Sequence, residues 1–68
     1  MGQSANGAHY EIMVDGKPRS YRDAADIAIQ AAKYLKERHP MSDVLVRDMR
    51  DNSATAIGWE KGLAFVRA

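Results

Sequence analysis

The first regular pattern in the chain is an alternation of residues between two faces, which is typical of a β-strand. Residues 10–14 (YEIMV) place their first, third and fifth side chains on the same side. Asp15-Gly16 follows at once, and this pair favours a two-residue type I′ turn because both central residues need positive φ. The return strand covers 17–21. Pro18 predicts that this strand lies at a sheet edge, since proline has no N–H to donate to a ladder.

A helical period replaces the strand period over about 23–38. Apolar residues recur there at 3.6-residue spacing, with Ile27 beside them and polar residues on the opposite side. Asp23 is the predicted N-cap, and Pro40 stops the helix at or before Arg38. The apolar side comprises Ala24, Ala28, Ala31, Ala32 and Leu35.

A second hairpin is predicted after the helix. Residues 44–49 (VLVRDM) form a strand that starts as an apolar run, 50–53 (RDNS) have turn chemistry, and 54–59 (ATAIGW) form the partner strand. Residues 62–68 are then either a C-terminal tail or a short extra strand. Residues 1–9 are small and polar, and we interpret them as a disordered leader.

The resulting prediction is an α+β fold with the order ββαββ over 10–61. The helix packs on one face of a four-stranded antiparallel sheet, and the strand order 2-1-3-4 leaves the proline strand outside. One helix covers one face of such a sheet, so the other face is solvated, covered by the tail or buried against a partner.

Composition narrows the class of protein. The chain has 68 residues, no cysteine and a net charge of +1, with 46% hydrophobic residues. These values predict one small globular domain without disulfides, in a reducing compartment such as the cytoplasm. No apolar run approaches the roughly 20 residues of a membrane span, and the N-terminus lacks the pattern of a signal peptide.

No catalytic motif is present, so we expect no enzyme activity, no catalytic residues and no cofactor. His9 and His39 are the only histidines. His9 and Glu11 share one side of a strand, but a metal site needs three or four ligands, so we expect no metal.

Two patterns relate to nucleic acids. Residues 61–68 (KGLAFVRA) resemble the RNP1 signature of RNA-recognition motifs, with Leu63 and Ala68 in place of aromatics, and the same residues also suit a packed tail strand. The second pattern is a set of arginines that could form a basic patch and contact phosphates. The balanced net charge favours the alternative, in which these arginines are solvated or form salt bridges. The patch would comprise Arg19, Arg22, Arg47, Arg50 and Arg67.

The layout of 10–59 resembles that of short ββαββ proteins of unknown function found in bacteria. The resemblance rests on the strand and turn of 10–17, the alanine-rich helix of 25–36 and the segment 44–51 (VLVRDMRD). It implies a bacterial cytoplasmic protein and transfers no functional residues.

The leading functional hypothesis is a non-enzymatic interaction domain. It would bind another protein or itself through the helix-free face or the tail, without a membrane or a small-molecule substrate. The alternative is a weak nucleic-acid-binding module that uses the arginines. The candidate interaction surface comprises Met13, Arg47, Met49, Arg50, Trp59, Leu63 and Phe65.

Overall fold

A computed structural model describes residues 9–67 as one antiparallel sheet with one helix across it. The sheet has five strands in the order β2-β1-β3-β4-β5, so the predicted order 2-1-3-4 is extended by one strand. The elements are β1 (Tyr10–Val14), β2 (Lys17–Arg22), α1 (Ala25–Arg38), β3 (Val44–Asp48), β4 (Ser53–Glu60) and β5 (Leu63–Val66).

The β1–β2 hairpin forms as the sequence predicts. Asp15 and Gly16 have φ of 53° and 83°, as a type I′ turn requires. The β1–β2 register shifts between Ile12 and Met13, so Arg19 bulges out of the ladder next to Pro18. β2 is an outer strand, and this confirms the edge position expected for a strand with proline.

The helix begins two residues later than predicted, and its N-cap is Ala24 rather than Asp23. The N-cap makes no side-chain hydrogen bond, because alanine has no polar atom to accept one, and the carboxylate of Asp26 accepts the first-turn N–H of Ile27 (3.0 Å) instead. The predicted position of Ile27 beside the core is also wrong, since its side chain is 51% exposed and Ile29 packs against the core instead. The helix ends before Pro40, as predicted.

The four-stranded sheet is the main correction to the predicted fold. Lys61 and Gly62 have φ of 55° and 83°, which is a second type I′ turn, and they join β4 to a fifth strand. Type I′ hairpin turns are recognised in a sequence by Asn-Gly or Asp-Gly, and lysine is unusual at positive φ. The pair Lys61-Gly62 therefore does not predict this turn.

The core lies between α1 and the inner face of the sheet. Alanines 28 and 32 on the helix are fully buried, and this lets the helix backbone approach the strands closely. The buried apolar residues are Ile12, Ala28, Ala32, Val44, Val46 and Ile57. Burying each of the larger ones contributes about 1.5–3 kcal/mol, so a core this small leaves a limited margin of stability.

The predicted leader falls mostly on residues 1–8, which lie outside the described part of the chain. His9 is described, and its carbonyl oxygen accepts the N–H of Met49 (2.8 Å). Within 9–67, no helix has the length and apolarity needed to cross a membrane.

Candidate functional site

The sheet face opposite α1 is referred to here as the open face. Its residues follow from the strand period, because they alternate with the core residues Ile12, Val46 and Ile57. Large side chains stand at its two sides, with Tyr21 44% exposed on β2 and Phe65 41% exposed on β5. The open face comprises Pro18, Tyr21, Glu11, Met13, Leu45, Arg47, Ala54, Ala56, Gly58, Glu60, Leu63 and Phe65.

One ion pair crosses the open face between β1 and β3. Glu11 is opposite Arg47 in the ladder, and its Oε1 accepts hydrogen bonds from Arg47 Nη2 (2.6 Å) and Nε (3.0 Å). The Glu11 side chain is only 5% exposed, whereas that of Arg47 is 38% exposed. A buried carboxylate needs such a partner, so Arg47 has a structural role on this face.

Phe65 lies over the backbone of Gly58, its partner in the β4–β5 register. A Cβ placed on Gly58 would be 2.5 Å from Phe65 Cζ and 3.0 Å from Arg67 Cγ. The glycine therefore leaves room for the aromatic ring and the arginine stem, which cover it so that Gly58 is buried on an otherwise open face. This contact attaches the apolar side chain of β5 to the sheet.

β5 leaves a row of backbone groups without a neighbouring strand. The N–H of Arg67 donates to the carbonyl oxygen of Ala56 (2.8 Å), which makes Arg67 a hydrogen-bonded partner within the β4–β5 ladder. Hydrogen-bonding direction alternates along an antiparallel strand, so Ala64 and Val66 direct their N–H and C=O groups away from β4. Glu37 of α1 accepts the Ala64 N–H through Oε2 (3.3 Å).

The arginines do not gather in one place. Arg19 and Arg22 lie on β2 and Arg67 follows β5, so they stand at opposite edges of the sheet. Arg50 lies in the turn after β3, where it donates to Asp48 (3.0 and 3.1 Å) and to the Tyr10 hydroxyl (2.9 Å). The nucleic-acid alternative stays a prediction, and the pairing of Arg47 with Glu11 makes that arginine a poor choice for testing it.

Three aspartates accept hydrogen bonds in the turns. Backbone donation from Asp43 (2.9 Å) lowers the pKa of Asp15, which thereby joins the first hairpin to the loop before β3. The Arg50 guanidinium lowers the pKa of Asp48, and the Ser53 N–H lowers that of Asp51. Asp15 and Asp51 are exposed and Asp48 is partly exposed, and we interpret all three as turn-stabilising groups.

The candidate surface residues divide into three groups. Met13, Arg47, Leu63 and Phe65 share the open face. Trp59 lies on the helix side of the sheet, because it is two residues beyond buried Ile57 and opposite Ala64; its side chain is 42% exposed. Met49 and Arg50 follow β3 at one end of the sheet.

Within 9–67, no three His, Asp or Glu residues come together as a metal site. Comparisons of the chain with models of protein families, with curated proteins and with solved structures find no match. The function is therefore inferred from the residues of this chain alone.

Sequence reasoning did not identify the roles of Glu11, Gly58 and Glu37. A signal existed for Glu11, since the strand period places it among apolar residues and a buried carboxylate needs a cation. Gly58 in a strand pattern is also a known sign of close packing. The contact of Glu37 with β5 carries no local signal, because it depends on how the helix lies across the sheet.

Proposed function

We propose that this chain is a small non-enzymatic interaction domain that binds another protein, or another copy of itself, through the open face and the adjoining strand β5. The observation that carries the proposal is the concentration of exposed apolar side chains on β5. Leu63 is 67% exposed, and Phe65 and Val66 are 41% and 43% exposed. Apolar and aromatic side chains of this kind are typical of the centres of protein interfaces.

The small side chains of β4 support this proposal. Beside Gly58, which Phe65 and Arg67 cover, the exposed Ala54 and Ala56 follow one another along the open face, between the larger residues of β3 and β5. They form a shallow strip bordered by Leu45 and by Phe65. A partner side chain can lie in such a strip without displacing residues of the domain, which suits a preformed interface.

The proposal is tested with a photo-reactive amino acid at position 56, expressed in the full chain inside cells. Ala56 is exposed at the middle of the strip. The matched control carries the same group at Ile27, which is exposed on the helix, away from the sheet. We expect adducts of defined mass from position 56 and none of the same mass from position 27.

The protein in each adduct is then purified and titrated against the domain. We expect Leu45→Lys to weaken its binding at least about tenfold, because a charge would be buried in the interface, while Ile27→Lys leaves binding unchanged. Identical adducts from both positions, or equal binding by the two variants, would refute the proposal. An adduct with nucleic acid would favour the alternative function.

A further inference from the structure

The edge of β5 has the chemistry of a pairing site. Its outward N–H and C=O groups belong to Ala64 and Val66, and among residues 9–67 no other strand lies beyond them in the sheet. The segment from Leu63 to Val66 contains no charged residue and no proline, and its register with β4 is regular. Strand edges with these properties readily accept another strand.

We infer that β5 pairs antiparallel with β5 of a second copy of this chain, so that two five-stranded sheets join into one. The inference deepens the proposed function, on which it rests, by naming the partner and the bonds. Two-fold pairing is the simplest closed arrangement, since the same strand supplies both sides of the contact.

The face alternation and the hydrogen-bond pattern restrict the register. If both helices lie on the same side, residues that face each other must share a sheet face, so the two-fold axis passes through a residue and not between two. The central residues of β5 are Ala64 and Phe65, and an axis at either one overlaps the two strands most fully. With the axis at Phe65, Ala64 lies opposite Val66 of the second copy. Both residues direct their hydrogen-bonding groups outward, so this register forms four hydrogen bonds.

Charge favours the same register. An axis at Ala64 would place Lys61 opposite Arg67 of the second copy, and like charges directly opposite each other are destabilising. It would also use Gly62, which belongs to the turn with φ of 83° and cannot continue the ladder. The axis at Phe65 places Arg67 opposite Leu63 and brings the two Phe65 rings together at the centre.

The size of the domain gives a reason for the pairing. Six apolar residues are buried in the described part of the chain, and two of them are alanines. Small domains usually add disulfides, a metal or oligomerisation to such a core. The chain has no cysteine, and the described residues hold no metal-ligand cluster. Pairing at β5 would add buried apolar surface from Leu63, Phe65 and Val66.

Glu37 competes with this pairing. Its carboxylate holds the Ala64 N–H, which must be released before a second strand can accept it. We expect Glu37→Ala to strengthen self-association about threefold to tenfold, as the loss of one weak, exposed competing hydrogen bond from each of the two copies implies. Gln30→Ala is the matched control, because Gln30 is an exposed residue of the same helix and should leave association unchanged.

The register is tested by disulfide cross-linking of the full chain, which has no cysteine of its own. Phe65→Cys places the thiols of two copies directly opposite each other, at about 4.5–5.5 Å between Cβ atoms. Leu63→Cys is the control, since position 63 is more exposed but lies opposite 67. We expect covalent dimer to form at least tenfold faster with Phe65→Cys under mild oxidation.

Sedimentation of the cysteine-free wild type at rising concentration completes the test. A mass that rises toward two chains, together with the Glu37→Ala shift, supports the inference. A constant monomer mass overturns it, while the proposed function survives if a different protein binds the open face. Dimers that cross-link equally through 63 and 65 also overturn the β5 pairing, although self-association itself would then stand.

Discussion

The two edges of the sheet differ in how they resist the addition of another strand. β2 contains Pro18, which has no N–H, and a bulge at Arg19 interrupts its ladder. Lys17, Arg19 and Arg22 add positive charge along the same strand. β5 has none of these features; within residues 9–67 its protections are its length of four residues and the hydrogen bond that the Ala64 N–H donates to Glu37.

One edge of this small sheet is protected against the addition of a strand, and the other edge is available for it. The protected edge belongs to the hairpin of β1 and β2, which is referred to here as the N-terminal half. The exposed edge belongs to β3, β4 and β5, the C-terminal half. The halves meet along the β1–β3 ladder, where Glu11 and Arg47 pair, and through α1. The predictions below test how strongly the two halves depend on each other.

The largest effect is expected at the ion pair between the halves. Arg47→Ala leaves the buried carboxylate of Glu11 without its cation. We expect the free energy of unfolding to fall by about 2 kcal/mol, less than the ~3–5 kcal/mol typical of a fully buried pair because Arg47 is partly solvated. Urea denaturation measures the loss.

Arg50→Ala is the control for Arg47→Ala. Arg50 pairs with Asp48 at an exposed position, and such pairs contribute little to stability. If both substitutions lower stability equally, the Glu11–Arg47 pair has no special role in joining the halves.

A smaller effect is expected from Gly58→Ala in the C-terminal half. The added methyl group would lie 2.5 Å from Phe65 Cζ, so the ring must turn away from β4. We expect a loss of about 1–2 kcal/mol in the free energy of unfolding, as for other overpacked sites. The ring can move because it is exposed, which keeps the loss below that of a closed core.

A double-mutant cycle with Phe65→Leu isolates this contact. Leucine is shorter than phenylalanine, so Gly58→Ala should cost less in the Phe65→Leu background. Strict additivity of the two substitutions would show that the strain arises elsewhere, for example at the stem of Arg67.

The sequence predicts one edge of the sheet better than the other, because the two edges carry different kinds of local signal. The β2 edge was predictable, because Pro18 and Asp15-Gly16 act through local backbone geometry. The order of the first four strands followed from the same reasoning. The sequence of 62–68 is compatible with either a tail or a strand, because Lys61 is not a residue that signals a type I′ turn. Contacts across the fold, such as that between Glu37 and Ala64, have no local signal at all.

Acid should lower the stability of the protein by protonating Asp15, whose carboxylate links the N-terminal half to the loop before β3. Its folded-state pKa is lowered below the ordinary value of 3.8 by the Asp43 N–H. A lowered pKa contributes stability above the unfolded value, and this contribution is lost as pH falls through the folded value. We therefore expect the thermal midpoint to fall on acidification below about pH 4.

Asp15→Asn should flatten part of this pH dependence, because an amide oxygen still accepts the hydrogen bond but does not titrate. Asp51→Asn provides the comparison in the C-terminal half, where the Ser53 N–H lowers the pKa of Asp51. The thermal midpoints of both variants are measured between about pH 2.5 and 6, a range that brackets the ordinary pKa of aspartate. An unchanged pH profile in Asp15→Asn would contradict a contribution from this carboxylate.

The smallest expected effect concerns the two type I′ turns, whose backbones are nearly the same. Their first residues have φ of 53° and 55°, and both second residues are glycines with φ of 83°. The turns differ in the first residue, which is aspartate in the N-terminal half and lysine in the C-terminal half. Lysine tolerates positive φ less well than asparagine, so Lys61→Asn should stabilise the protein by about 0.5 kcal/mol.

Thermal unfolding measures this gain, and Lys61→Ala is the control because alanine shares the steric penalty of lysine without favouring the turn. The gain should leave the self-association of β5 unchanged in a sedimentation series, since Lys61 lies in the turn, outside the segment 63–67 that pairs about a two-fold axis at Phe65. A change in association without a gain in stability would place Lys61 in the contact between copies. The axis would then pass through Ala64, where Lys61 and Arg67 of the second copy repel each other, and positive charge would oppose strand addition at β5 as it does at β2.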